Sequence, residues 1–81
     1  MTTSAAGRET KVRTPQALGS AIRAARTKRG MTQAELAQRA LTTRQSINAL
    51  EAGNETRAVE VLFDTLAALG LELAVRPRAS K

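Results

Sequence analysis

The sequence predicts an all-α fold, a bundle of four to five short helices followed by one C-terminal β-strand. Three observations carry this. Apolar residues recur at three- and four-residue spacings in separate stretches, as on one face of a helix. Threonines stand where these stretches begin and glycines where several end, which is the punctuation of helix termini. The last apolar stretch, LELAVR, alternates instead with a period of two, as a strand does.

Residues 1–13 are small, polar and charged without periodicity, and are expected to form a flexible basic arm whose ETKVRT end has strand-forming residues. Thr14-Pro15 opens the first helix, because threonine caps free amides and proline is tolerated at the first helical position. Leu18, Ile22 and Ala25 then fall at i, i+4 and i+7 and give that helix one apolar face, ending near Gly30. Thr32, with Glu35 three residues on, forms a capping box that starts a short second helix ending near Ala40.

The third helix begins around Thr43. It turns Ile47 and Leu50 inward, while Arg44, Gln45, Asn48 and Ala49 point elsewhere, and Gly53 stops it. After a polar loop from Asn54 to Thr56, Val59, Leu62, Phe63, Leu66 and Leu69 recur at i, i+3, i+4, i+7 and i+10. They predict a core-facing helix closed by Gly70.

In LELAVR, Leu71, Leu73 and Val75 share one face, Pro77 ends the strand, and residues 77–81 form a basic tail. A strand needs hydrogen-bond partners, and within the chain only ETKVRT offers one. The strand over 71–76 is therefore expected to pair with its own copy across a homodimer, with Leu71, Leu73 and Val75 as dimerisation residues. The helical domain proper spans 14–70.

A chain of 81 residues has room for one domain, and a monomer of this size is marginally stable, which dimerisation would remedy. No apolar run approaches the roughly 18 residues of a membrane span. The N-terminus lacks the apolar core of a secretory signal, and cysteine is absent, so a cytoplasmic, metal-free protein is expected. Of the net charge of +6, all of it lies in residues 1–30: Arg8, Lys11, Arg13, Arg23, Arg26, Lys28 and Arg29 stand against Glu9 alone. That polarity suits a polyanion such as DNA. Individually, Arg23, Arg26, Lys28 and Arg29 either contact phosphate or form a solvated face.

With no histidine or cysteine, no phosphate-binding glycine loop and no clustered carboxylates, the residues for acid-base, nucleophilic, metal and phosphate-loop catalysis are missing. Neither an enzyme nor a cofactor is expected. Glu51 is expected to make a structural bond. Two short helices joined by a tight turn, the second presenting a polar row, instead match the geometry in which a recognition helix enters the major groove of DNA.

At these residues the sequence becomes specific. TQAELAQRALTTRQSINALEAG resembles the helix-turn-helix of the Cro/CI (XRE) repressor family, with its Gln, Glu-Leu-Ala, Ile and final Glu-x-Gly in register. The likeness runs from about Pro15 to Val75 and, with the terminal LELAVR strand, is most similar to HipB-like antitoxins. It implies a lambda-repressor-like bundle and a sequence-specific, double-stranded DNA-binding repressor of a palindromic operator. It also implies an antitoxin partnered with a HipA-type serine/threonine kinase toxin in a HipBA-type pair, the alternative being a stand-alone or phage-type XRE regulator.

The resemblance further implies that Gln33 contacts a phosphate and steadies the recognition helix, and that Thr43, Arg44, Gln45 and Asn48 face DNA. Ser46 and Ala49 flank that face, suited to a phosphate and a thymine methyl respectively. The sequence departs from the family at Leu41, where the turn usually has glycine, and at Thr42, usually aliphatic. A leucine there either takes a positive φ or reshapes the turn.

Overall fold

The structure, a computed structural model, describes residues 9–54 and 56–78. It runs β1 (Thr10–Val12), α1 (Pro15–Lys28), α2 (Gln33–Ala40), α3 (Arg44–Glu51), α4 (Arg57–Ala68) and β2 (Leu73–Val75). Every helix opens on a threonine in extended conformation: Thr14, Thr32, Thr43 and Thr56. Each Oγ1 accepts from the amide three residues on, at 3.0 Å from Ala17, 3.0 Å from Glu35, 3.1 Å from Ser46 and 3.2 Å from Val59. At α2 the box is reciprocal, since the Thr32 amide donates to Glu35 Oε1 at 2.8 Å. These hydrogen bonds hold the Glu35 carboxyl below the usual carboxylate range, with the Thr32 backbone amide as the largest cause.

The helices close on a small core of Val12, Ala37, Ile47 and Phe63, all buried. Leu18, Ile22, Leu36, Leu50, Val59 and Leu66 are half-buried around it. α1 packs against α3 at Gly19, where a Cβ would lie 2.4 Å from the Leu50 carbonyl oxygen and 2.6 Å from that of Glu51. Only glycine permits that approach.

The expected inward faces of α1 and α4 are trimmed. Ala25 is exposed, and on α4 Phe63 takes the inner position while Leu62 stands open and Leu69 is 66% exposed, close to an exposed Leu71. The physical reason is geometric. Leu62 and Leu69 are seven residues apart and so share one side of α4, and no element among the described residues lies over it.

The C-terminal strand was expected to need a second subunit, and the structure corrects this. β2 pairs antiparallel with β1 of the same chain, with Thr10 opposite Val75, Lys11 opposite Ala74 and Val12 opposite Leu73. Thr10–Val12 thus leaves the expected flexible arm and becomes structure, and Val12 is wholly buried. Two things favour the pairing in cis. β1 inserts Val12 into the core, and ion pairs flank the register: Glu72 meets Arg13 and Lys11, and Arg76 meets Glu9 at 3.9 Å. Arg13 holds the Glu72 carboxyl below its ordinary range. Residues 1–8 of the arm and 79–81 of the tail lie outside the described residues.

Between α2 and α3 the chain keeps the tight turn and accepts the strained backbone. Leu41 sits in the left-handed region at φ 59 and ψ 45, and its side chain is 93% exposed. The geometry closes α2 through Thr42 N donating to Ala37 O at 2.9 Å and Leu41 N to Gln38 O at 3.3 Å. A left-handed L-residue costs about 1–2 kcal/mol, and a glycine forfeits part of that gain in unfolded-chain entropy. Leu41→Gly is therefore expected to stabilise the chain by about 0.5–1 kcal/mol in urea unfolding. A lowered midpoint would mean that the leucine side chain, not its backbone, governs stability here.

Candidate nucleic-acid interface

α3 presents the predicted polar row. Arg44, Gln45, Ser46 and Asn48 are all exposed, whereas Ile47 is buried and Leu50 half-buried against the other helices. Thr43 caps the helix, and besides accepting from the Ser46 amide its Oγ1 donates to Ser46 Oγ at 3.0 Å. That arrangement leaves the Ser46 hydroxyl proton available to an acceptor such as a phosphate oxygen. Ala49 is half-buried beside the row.

A part-buried ion pair fixes this helix in place. Glu51, at the end of α3, is 4% exposed and Arg26 of α1 is 12% exposed. Arg26 Nε donates to Glu51 Oε2 at 2.6 Å and Nη2 to Oε1 at 3.0 Å, a two-pronged contact that favours both charges. The third prong, Nη1, donates to the Met31 carbonyl at 2.7 Å and ties in the loop before α2. Arg26 holds the Glu51 carboxyl below the usual carboxylate range, and Gln33 lowers it further. In return, the hydrogen bond to Glu51 raises the Arg26 guanidinium above its ordinary value.

Gln33, the first residue of α2, joins the same network. Its Nε2 donates to Glu51 Oε1 at 3.1 Å and to Asn48 Oδ1 at 3.3 Å. With its carbonyl so engaged, Asn48 directs its amide nitrogen as the free donor, and the side chain has a fixed orientation. The structure thus brings Gln33, Asn48 and Glu51 together and places Thr43, Arg44, Gln45 and Ser46 along the first turn of α3.

The family model described as Helix-turn-helix matches residues 22–75, from the second half of α1 through β2. The chain belongs to this helix-turn-helix family, of the Cro/CI (XRE) type. No curated protein and no solved structure matches the chain. As a member of this family it is a DNA-binding transcriptional regulator, with α2 and α3 as the two helices of the motif.

Within this helix-turn-helix regulator the basic run of α1 divides. Arg26 is neither a phosphate contact nor a solvated charge, because Glu51 and Met31 use its guanidinium. Arg23 is exposed and lines the cleft it shares with Gln33 and Asn48, while Lys28 and Arg29 border a different surface. The sequence signal for this division is the i, i+3 placement of Arg23 and Arg26 on one face, but the carboxylate that claims one of them is 25 residues away. No helix among the described residues is long and apolar enough to cross a membrane.

Proposed function

We propose that this regulator is a dimeric repressor that reads a palindromic operator through Gln33, Thr43, Arg44, Gln45, Ser46 and Asn48. The observation that carries the reading is the exposed polar row of α3, held at a fixed angle by the Arg26–Glu51 pair and by Gln33. Arg44 suits a guanine edge, Gln45 and Asn48 suit adenine, and Thr43 and Ser46 suit phosphate. Both Nε2 hydrogens of Gln33 are engaged, so its phosphate contact falls to the backbone amide at the start of α2. Arg23 adds a further phosphate contact from the same cleft.

The test is competition binding against point-mutated operators. Arg44→Ala is expected to cost about 1–3 kcal/mol and to relax preference at one base position. Equal weakening on specific and random DNA would reduce Arg44 to a phosphate contact.

The dimer places its two recognition helices about 34 Å apart, one turn of the duplex. Its support is the open apolar side of α4, with Val61, Leu62, Leu69 and Leu71 exposed, together with β2, whose second edge has no strand partner among the described residues. Leu71 belongs to that surface, whereas Leu73 and Val75 are half-buried against their own chain and serve the interface through the backbone of β2. In sedimentation the wild type is expected to run as a dimer and the double variant Leu69→Glu/Leu71→Glu as a folded monomer. A variant that stays dimeric would remove this surface from the interface.

The regulator's operon role is that of the antitoxin of a HipBA-type pair, neutralising a HipA-type serine/threonine kinase. The likeness of the helix-turn-helix and its LELAVR strand to HipB-like antitoxins supports this. Expression with the neighbouring gene is expected to recover a stoichiometric kinase-sized partner that stays bound on operator DNA. DNA binding by the chain alone would favour the stand-alone or phage-type XRE regulator.

A further inference from the structure

α1 and α2 enclose a second surface that the DNA reading does not use. Its floor is apolar: Ala21, Ile22 and Ala25 of α1, Met31 of the loop, Leu36 of α2 and Val75 of β2. Ala25 lies two residues beyond Arg23, roughly 200° around the helix, so the groove faces away from Arg23, and it meets the cleft with Gln33 and Asn48 only at Arg26, which lines both.

The charged side chains of the rim are all cationic, with Thr10 and Ser20 as uncharged members and with Arg26 and Arg76 already paired to Glu51 and Glu9. Arg29 and Arg39 border the floor directly, and Lys28 and Arg78 border its continuation along α1. No carboxylate lines either part. Among the described residues these four cations make no ion pair, in contrast to Arg13, Arg26 and Arg57.

We infer that this groove is a docking site for an acidic amphipathic helix of a different protein. The apolar floor fits side chains at i, i+3, i+4 and i+7 of such a helix, and the arginine rim fits glutamates or aspartates flanking that stripe. DNA fits poorly, because phosphates gain nothing from Ile22, Met31 and Leu36. A second copy fits poorly as well. A two-fold contact sets the same patch against itself, so that the arginine rims repel. Residues 1–8 carry Arg8 as their only charged side chain and residues 79–81 only Lys81, so neither supplies the complementary acids. The proposal does not depend on the antitoxin reading.

The test uses the full chain, isotopically labelled, titrated with a synthetic helical peptide of about five turns that carries a leucine stripe flanked by glutamates. A lysine-flanked version and a scramble of the glutamate peptide are run beside it. The glutamate peptide is expected to shift Ile22, Ala25, Met31 and Leu36 saturably, and to weaken as salt rises. Arg29→Glu/Arg39→Glu is expected to weaken that binding by about tenfold or more and to create binding of the lysine peptide, in a chain whose amide spectrum stays that of the folded protein.

Equal binding of the scramble would overturn the proposal. So would displacement of the peptide by operator DNA, which would make the groove a phosphate surface. Groove shifts that grow with the chain's own concentration alone would assign it to a second copy instead.

Discussion

Glu51→Ala is expected to lower the urea midpoint of the free chain clearly, because it breaks a part-buried, two-pronged ion pair and leaves Arg26 without its counter-charge. The loss is not the attraction itself but the Arg26 guanidinium left in a largely buried position. Met31 O remains as one acceptor and some solvent reaches the side chain, and both limit the cost. Operator affinity should fall as well, because Gln33 loses one of its two acceptors and the Asn48 side chain loses its fixed orientation.

The same pair sets a pH dependence. The Glu51 carboxyl titrates lower in the folded chain than in the unfolded one, where glutamate titrates at about 4.3. Its contribution is therefore complete above that range and is lost as pH falls through the folded value. Glu35 and Glu72 act in the same direction. The urea midpoint is expected to be flat near neutrality and to fall below about pH 4, and Glu51→Gln should flatten part of that acid limb. An acid limb unchanged in Glu51→Gln would show that the pair is not the linked group.

What the sequence made legible was local. The helices, their threonine caps and the capping box at Thr32 and Glu35 depend on residues three or four apart, and each formed as the spacing requires. The polar row of α3 was legible for the same reason. The contacts across the chain were not. Arg26 reads as one cation in a run until Glu51 is brought beside it, and Gly19 reads as an unremarkable helix residue until α3 approaches. The strand pairing also escaped a local reading: β1 has three residues and weak patterning, and its stability comes from burying Val12 and from the Glu72 ion pairs rather than from propensity. On α4 the apolar period gave the right helix but could not say how much of its wide stripe one chain covers.

Gly19 carries the second large effect, and its direction opposes helix propensity. In an isolated helix, glycine to alanine gains about 1 kcal/mol. Here the added methyl would meet the carbonyl oxygens of Leu50 and Glu51, which are backbone atoms that no rotamer change can move. α1 and α3 must separate, and such overpacking costs about 1–3 kcal/mol or more. Gly19→Ala is therefore expected to be net destabilising by about 1–2 kcal/mol, read as a lowered melting temperature. Separation also lengthens the Arg26 to Glu51 hydrogen bonds, since those two residues sit on the same pair of helices. Operator affinity should then fall further than the unfolded fraction alone explains. Ser20→Ala, at the exposed neighbouring position, provides the control and should gain slightly from propensity. If both variants raise the melting temperature alike, α1 and α3 do not meet at Gly19, and the angle of the recognition helix must be set elsewhere.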